Sequence, residues 1–346
     1  MEMLTYTPAE QVDIAEDLGA VPTALPEIEF YEDFMASVSA VPPELVEGIL
    51  HQGCKMVLAG PSKSNKSWAL LDLALSVACG AKWWGRRCTK APVVYINFEL
   101  PRWSINRRIA SLVGARREFA GFGRSLALWN LRGRNADLTV LRPLLEERLA
   151  RHQFGMIILD PAYKLLGDRD ENANGEIAGL MNEFEALACS SGAAVVIAHH
   201  FAKGDSTVKS SIDRMSGAGA WARDPDSLLI LTPHEEPSCF TVNATLRNLP
   251  PVDDFVVEWN FPLLTAAADL DPESLRQVGG RRKKVTDREF VEAVLPGRDG
   301  RAFGGLVETG QRALGLSRRT AERYVARLTA AGVLRNSGGL YWRATA

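Results

Sequence analysis

The stretch Lys55–Cys79, KMVLAGPSKSNKSWALLDLALSVAC, sets the fold class because its pattern changes twice over a short distance. It opens with a largely apolar run, Lys55–Ala59, which predicts a buried strand. A loop rich in glycine, serine and lysine follows, and Ser67–Cys79 then has the pattern of an amphipathic helix. A strand, a small-residue loop and a helix in this order predict an α/β domain whose loop faces a ligand.

The loop GPSKSNKS (60–67) matches the phosphate-binding pattern GxxxxGK[ST] at its first glycine, its lysine and its serine. Backbone N–H groups of such a loop surround phosphates, and the helix N-terminus adds partial positive charge. Lys66 would reach the β- and γ-phosphates of ATP, and Ser67 would bind Mg²⁺. Asn65 replaces the usual second glycine, which is plausible because asparagine tolerates a positive φ. The predicted nucleotide contacts are Gly60, Pro61, Ser62, Lys63, Ser64, Asn65, Lys66, Ser67 and Trp68.

Further polar residues follow apolar runs and are expected at the same edge of the sheet. Asp160 ends one such run, and Glu99 ends another. Because ligands of open α/β sheets bind at the carboxyl ends of the strands, we expect Asp160 to support Mg²⁺ and Glu99 to orient the attacking water. His199 and His200 end a third run and could hydrogen-bond the γ-phosphate.

Each of these features also has a structural interpretation. The loop could be an ordinary turn rich in serine and lysine, and Asp160 could end its strand in an Asp-Pro turn. Glu99 could cap a helix or be solvated, and a histidine is more often a structural residue than a catalytic one. The presence of the P-loop pattern upstream favours the nucleotide-binding interpretation.

The remaining pattern alternates between strands and helices, which predicts a largely parallel sheet. Three closely spaced strands near residue 250 predict an antiparallel extension. The predicted helices are Glu44–Leu50, Arg102–Val113, Leu138–His152 and Glu176–Cys189. The predicted strands are Val93–Phe98, Leu126–Trp129, Met156–Leu159, Ala194–Ala198, Asp226–Leu231, Ser238–Leu246 and Phe255–Trp259.

The net charge of −2 over 346 residues conceals a strong asymmetry. Residues 1–50 contain eleven acidic and no basic side chains, whereas residues 281–346 carry a net charge of +8. A basic end suits a polyanion such as DNA. No apolar run is long enough to span a bilayer and no secretory signal is visible, so no membrane partner is expected. The five scattered cysteines predict reduced thiols in a cytoplasmic protein.

The basic C-terminal region predicts a small winged helix-turn-helix domain. Three helices, Thr286–Leu295, Phe303–Leu314 and Arg318–Ala331, precede a hairpin over 333–343, and Ser317 can cap the third helix. LGLSRRTAERYVARLTAAGVL resembles the helix-turn-helix of that fold, whose recognition helix enters the major groove through its N-terminal residues. The predicted DNA contacts there are Arg318, Arg319 and Arg323. Winged helices also bind proteins, so a protein partner stays open.

The complete set of motifs resembles the RecA/DnaB-type ATPase core and, within it, the RepA-like hexameric helicases of plasmids and phages. The residues that carry this resemblance, over about 40–260, are GPSKSNKS (60–67), YINFELP (95–101), IILDPAYKLL (157–166), VVIAHHFAKG (195–204) and SIDRMSGAGAWARDPDSLLIL (211–231). The resemblance implies a homo-hexameric ring that binds ATP between neighbouring subunits. One subunit would then supply an arginine, Arg214 or else Arg223, to its neighbour's γ-phosphate.

The resemblance also implies DNA-contacting loops near Lys203 and Lys209, although an ordinary loop fits that stretch equally well. It implies an ATP-dependent helicase or translocase that acts with replication or mobile-element proteins. An ATP-switched DNA-binding regulator or loader remains the alternative, followed by a RecA-type recombinase. The expected organisation is an acidic extension (1–39), the ATPase domain (40–265), a linker (266–284) and the winged helix (285–346).

Overall fold

The computed structural model describes residues 27–37, 40–119, 121–134, 137–200, 219–276, 285–297 and 299–344. The chain divides into two compact units, Met1–Val41 and Pro42–Ala346. In the first unit the described residues form one short helix, Tyr31–Ala36, whose side chains are exposed. Among the described residues, no helix has the length and apolar character needed to cross a membrane.

Helices and strands of the described residues carry separate numbers in chain order. The helices are α1 (Tyr31–Ala36), α2 (Lys66–Cys79), α3 (Arg102–Ala115), α4 (Leu138–Leu149), α5 (Asn174–Ser191), α6 (Ala220–Arg223), α7 (Asp287–Val294), α8 (Phe303–Leu314) and α9 (Arg318–Ala330). The strands are β1 (Glu44–Val46), β2 (Leu50–His51), β3 (Lys55–Gly60), β4 (Lys82–Trp83), β5 (Arg86–Arg87), β6 (Val93–Asn97), β7 (Leu126–Asn130), β8 (Met156–Asp160), β9 (Ala194–His200), β10 (Ser227–Pro233), β11 (Cys239–Leu246), β12 (Phe255–Asn260), β13 (Leu263–Ala266), β14 (Arg301–Ala302), β15 (Leu334–Ser337) and β16 (Leu340–Arg343).

The second unit is built on a sheet with the strand order β13-β12-β11-β10-β3-β9-β8-β6-β7. The six strands from β10 to β7 pair in parallel. Strands β10 to β13 pair antiparallel in three successive hairpins. The prediction of a RecA-like, mostly parallel α/β sheet with an antiparallel extension is therefore confirmed. The final strand of the extension, β13, was not predicted.

Helices cover both faces of this sheet. Strands β3, β6 and β8 are buried along their whole length, as expected for parallel strands between helical layers. Helix α2 packs on one face, with Leu70 and Leu73 in the core, and α5 packs on the other, with Leu180 and Phe184 buried. The P-loop is therefore held between two rigid elements, β3 and α2.

Strand order and register bring the predicted site residues to one edge. Gly60, the last residue of β3, pairs with His200 at the end of β9. Asn97, the last residue of β6, pairs with Asp160 at the end of β8. Because all four strands are parallel and neighbouring, the segments that follow them leave the sheet on the same side.

The helix predicted at Glu44–Leu50 is wrong. These residues instead form the antiparallel hairpin β1–β2. Gly48 adopts a positive φ of 65°, and its N–H donates to a carboxylate oxygen of Glu44 over 2.7 Å. A left-handed residue at this position breaks a helix, and the side-chain hydrogen bond stabilises a turn.

Residues 285–344, called the C-terminal segment below, contain α7, α8 and α9 and a small sheet with the order β14-β16-β15. Its own apolar core includes Phe290, Leu306 and Val325. Ser317 caps α9, since its hydroxyl accepts a hydrogen bond from the N–H of Thr320. Part of the predicted linker is folded against the sheet, because Leu275 forms a β-bridge with His234.

Candidate active site

The P-loop has the backbone geometry of a phosphate cradle. A side chain at Gly60 would come within 2.9 Å of the hydroxyl of Ser64, so this position requires glycine. Lys63 and Asn65 have φ values of 66° and 62°. Asn65 therefore adopts the left-handed conformation that the usual glycine provides, and α2 begins directly after it.

Lys66 points back into the loop. Its Nζ donates to the carbonyl oxygens of Gly60 (2.7 Å) and Pro61 (2.9 Å) and to Nδ1 of His200 (2.9 Å). Only 3% of the residue is exposed. The ammonium group is thus held at the centre of the cradle, where a phosphate oxygen could exchange for these partners.

The charges around Lys66 are strongly perturbed by burial. Burial lowers the pKa of Lys66 to about 7, against the opposing negative charges of Asp160 and Glu99. Burial, followed by the nearby charge of Lys66, lowers the pKa of His200 to about 4. His200 is therefore neutral at physiological pH and can accept the hydrogen bond from Lys66.

The two neighbouring histidines differ in surroundings, because adjacent residues of a strand point to opposite faces. His200 contacts the P-loop lysine, whereas His199 stacks on Trp221 with ring centroids 4.1 Å apart. Burial lowers the pKa of His199 to about 3. The structure therefore brings His200, and not His199, into direct contact with the P-loop.

Asp160 and Ser67 form a candidate Mg²⁺ site. Asp160 is buried and accepts hydrogen bonds from the hydroxyls of Tyr95 and Ser67. Burial raises its pKa, and these two hydrogen bonds and the charge of Lys66 oppose that rise. A buried carboxylate beside the P-loop hydroxyl fits a hard cation that takes oxygen ligands. Within the described part of the chain, no group of three or more His, Cys, Asp or Glu side chains could hold a metal, so phosphate and water would complete the coordination.

Glu99 lies on a turn that Asn97 shapes. The side-chain oxygen of Asn97 accepts from the N–H groups of Glu99 (3.3 Å) and Leu100 (2.9 Å), while its amide donates to the carbonyl oxygen of Leu100 (2.6 Å). The Glu99 side chain is exposed, yet its charge is close enough to raise the pKa of Lys66. Its carboxylate therefore borders the cradle from the solvent side.

An aromatic cluster adjoins the P-loop. Trp68 lies 5.5 Å, between ring centroids, from both Trp259 and Phe261, and the guanidinium of Arg108 sits 4.9 Å from the centre of the Trp68 ring. Phe261, at the turn between β12 and β13, is 69% exposed. The cluster offers an aromatic surface to solvent directly after the residue that would bind the metal.

A protein-family comparison identifies this arrangement. The family model AAA_25, described as an AAA domain, matches residues 23–206, which is more than half of the chain. The chain belongs to this AAA domain family. It is a P-loop ATPase of the RecA/DnaB type, as the motif order predicted. No curated protein matches it. The solved structure of the ATPase domain of a DnaB-like helicase is similar at 10% identity and a TM-score of 0.49, covering 66% of this chain and 92% of that chain.

Some predicted residues of the AAA domain protein fall elsewhere. Lys203, Lys209 and Arg214 lie outside the described residues. Arg223 ends α6 and is exposed, and the next residue, Asp224, pairs with Lys55 at the start of β3, at the opposite end of that strand from the P-loop. Arg223 is thus not part of the cradle of its own chain.

The predicted DNA-contacting arginines all lie on α9. Arg318 is exposed and pairs within the helix with Glu322 (2.9 Å). Arg319 and Arg323 instead pair with Glu258 of β12. No pattern in the sequence indicated that these two arginines contact the ATPase sheet.

Sequence reasoning missed several residues that shape the site, among them Tyr95, Asn97 and Arg108. Tyr95 sits within an apolar run and was assigned only to a strand, although its hydroxyl contacts Asp160. The signal for Asn97 was its place as a polar residue at the end of a buried strand. Arg108 and Phe261 reach Trp68 through tertiary packing, which no local pattern reveals.

Proposed function

We propose that this AAA domain protein is a ring-forming, ATP-dependent DNA helicase or translocase that serves replication of a plasmid, phage or other mobile element. The single observation that carries the proposal is the convergence of Lys66, Ser67, Glu99, Asp160 and His200 at the carboxyl edge of the parallel sheet. This set combines a phosphate cradle, a metal-binding pair, a carboxylate for water and a neutral hydrogen-bonding histidine.

In the proposed reaction, the P-loop N–H groups and Lys66 bind the phosphates of ATP. Ser67 and Asp160 would hold Mg²⁺, which offsets charge on the transferred phosphoryl group. Glu99 orients the attacking water, and the turn fixed by Asn97 positions that carboxylate. His200 exchanges its contact with Lys66 for the γ-phosphate, so it reports whether that phosphate is present.

The aromatic cluster is suited to hold the base of the nucleotide. Stacking of a base on an aromatic ring contributes about 1–3 kcal/mol. Trp68 follows the metal-binding serine directly, and Phe261 leaves an exposed ring beside it. Arg108 could contact either the base or the phosphates from the same side.

The ring and the DNA contacts complete the proposal. A neighbouring subunit of a homo-hexamer would supply Arg214 or Arg223 to the γ-phosphate, and Lys203 and Lys209 would contact DNA in the central channel. The C-terminal segment is proposed to be a winged helix whose Arg318, Arg319 and Arg323 bind duplex DNA. We place the protein in the cytoplasm, where replication or mobile-element proteins would be its further partners.

A forked-duplex assay tests this function. Unwinding should require ATP and Mg²⁺ and should be abolished in Lys66→Ala. In Glu99→Gln, ATP should still bind while hydrolysis falls by about 10²–10⁴-fold, the usual contribution of a positioned general base. ATP-dependent DNA binding without strand displacement would overturn the motor and favour the regulator or loader.

The regulator or loader is kept as a second candidate because α9 contacts the ATPase sheet through Arg319 and Arg323, which links the proposed DNA-binding element to that sheet. Particle images with and without nucleotide separate the remaining cases. Closed rings support the motor, filaments indicate a recombinase, and a persistent monomer contradicts both.

A further inference from the structure

The first turn of α9 faces three carboxylates at the antiparallel end of the ATPase sheet. They come from separate segments: Glu236 from the turn between β10 and β11, Glu258 from β12, and Asp269 from the residues after β13. Glu236 and Glu258 are only 4% and 6% exposed. Three acidic groups from three segments thus converge on one end of one helix.

Each carboxylate has a defined partner on α9. The hydroxyls of Ser317 and Thr320 both donate to Glu236. Arg319 pairs with Glu258 and with Asp269. Arg323 adds a second pair to Glu258, with 3.1 Å between Nη1 and the carboxylate oxygen.

This geometry is that of an anion-binding surface with its anions in place. A helix N-terminus carries partial positive charge, and hydroxyl and guanidinium groups are the donors that phosphate and carboxylate share. Here the surface holds carboxylates that are buried and could not remain ionised there without partners. If α9 moved away, water would replace its donors around Glu236 and Glu258, so an exchange between the two states is chemically open.

We propose that the first turn of α9 is an anion-binding surface that Glu236, Glu258 and Asp269 fill in this conformation, and that the phosphates of a DNA duplex compete for it. The inference rests on the proposed DNA binding by the C-terminal segment. A guanidinium committed to Glu258 cannot also contact a phosphate, so the docked form excludes DNA from Arg319 and Arg323. DNA binding through these arginines therefore releases α9 from the sheet.

Arg318 has a different place in this scheme. Its side chain is 79% exposed and its only ion pair in the described part of the chain is with Glu322, one turn along the same helix. It is therefore accessible in both the docked and the released form. This makes Arg318 a probe of DNA binding that does not depend on the docking contact.

Duplex affinity tests the competition, measured with the full chain and a fluorescein-labelled DNA duplex by anisotropy. Glu258→Gln keeps the side-chain shape and removes the charge, so it should bind the duplex about tenfold more tightly than wild type. The matched control is Asp253→Asn, which removes one charge from an exposed position in the loop before β12 and should change affinity by less than about twofold. Asp269→Asn, at an exposed partner of Arg319, gives a second reading if the buried substitution impairs folding.

The outcomes separate the inference from the function on which it rests. If Glu258→Gln and Asp269→Asn bind no more tightly than Asp253→Asn, while Arg318→Ala weakens binding, then α9 binds DNA but the competition is wrong. If no variant binds duplex DNA, or Arg318→Ala has no effect on binding, the proposed role of α9 fails, and the competition fails with it. Hydrogen exchange adds an independent reading: DNA should slow exchange in α9 and speed exchange around Glu236, and protection of both regions together would overturn the inference.

Discussion

The pKa of Lys66 leads to a quantitative prediction for nucleotide binding. Burial lowers this pKa to about 7 in the nucleotide-free protein, yet the proposed phosphate contact requires the charged ammonium. Above pH 7 the lysine must therefore take up a proton when nucleotide binds. The apparent dissociation constant should rise with the factor 1 + 10^(pH−7), which is about eightfold (~1.2 kcal/mol) between pH 7.5 and 8.5.

Isothermal titration calorimetry in buffers of different ionisation enthalpy measures both the affinity and the number of protons taken up. We expect uptake of about 0.8 proton at pH 7.5 and nearly one at pH 8.5. The control is Lys66→Met, whose weaker residual binding should be independent of pH in this range. Affinity that stays constant from pH 7.5 to 8.5, without proton uptake, would refute the assignment of Lys66 as a buried phosphate ligand of lowered pKa.

The same residue has the opposite effect on folding. Because the folded protein binds this proton less tightly than the unfolded chain, the unfolded state holds more protons above pH 7. The contribution of Lys66 to the free energy of unfolding should therefore increase as the pH rises from about 7 towards the ordinary lysine range. Urea unfolding of wild type and Lys66→Met over this range measures the difference.

Three further predictions concern the surroundings of the P-loop. Tyr95→Phe removes a donor from the buried Asp160, so the free energy of unfolding should fall by about 1–3 kcal/mol and Mg²⁺-dependent ATP affinity should fall with it, as urea unfolding and calorimetry can measure. Phe261→Ala should weaken ATP binding by ~1 kcal/mol or more, with little loss of thermal stability because the ring is exposed; unchanged affinity would exclude a stacked base. Asn65→Gly should retain nucleotide affinity, whereas Asn65→Val should lose about 1–3 kcal/mol of stability in urea unfolding because a β-branched residue is strained at φ 62°.

The sequence predicted the parts of the site that depend on local order along the chain. Apolar runs that end in Glu99, Asp160 and His200 placed these residues correctly, because parallel strands buried on both faces leave a clear signal where they end. Asn65 was expected to tolerate a positive φ, and it has one. The nucleotide-binding half of the fold was therefore accessible from pattern alone.

The errors and omissions arise where tertiary contacts decide. The helix predicted at 44–50 was overruled by the turn at Gly48, whose left-handed φ a composition-based pattern does not register. The roles of His199 and His200 could be separated only once the pleat placed one on Trp221 and the other on Lys66. The contacts of Arg319 depend on a meeting of distant segments, and its basic character alone suggested only a polyanion.

Strand β12 connects two regions of the molecule through neighbouring residues. Glu258 points to one face and holds Arg319, while Trp259 points to the other and contacts Trp68, next to the P-loop serine. A displacement of this strand by a bound nucleotide would be felt by α9 without any intermediary. We expect thermodynamic linkage as the consequence: if ATP changes the affinity for DNA by some factor, DNA must change the affinity for ATP by the same factor.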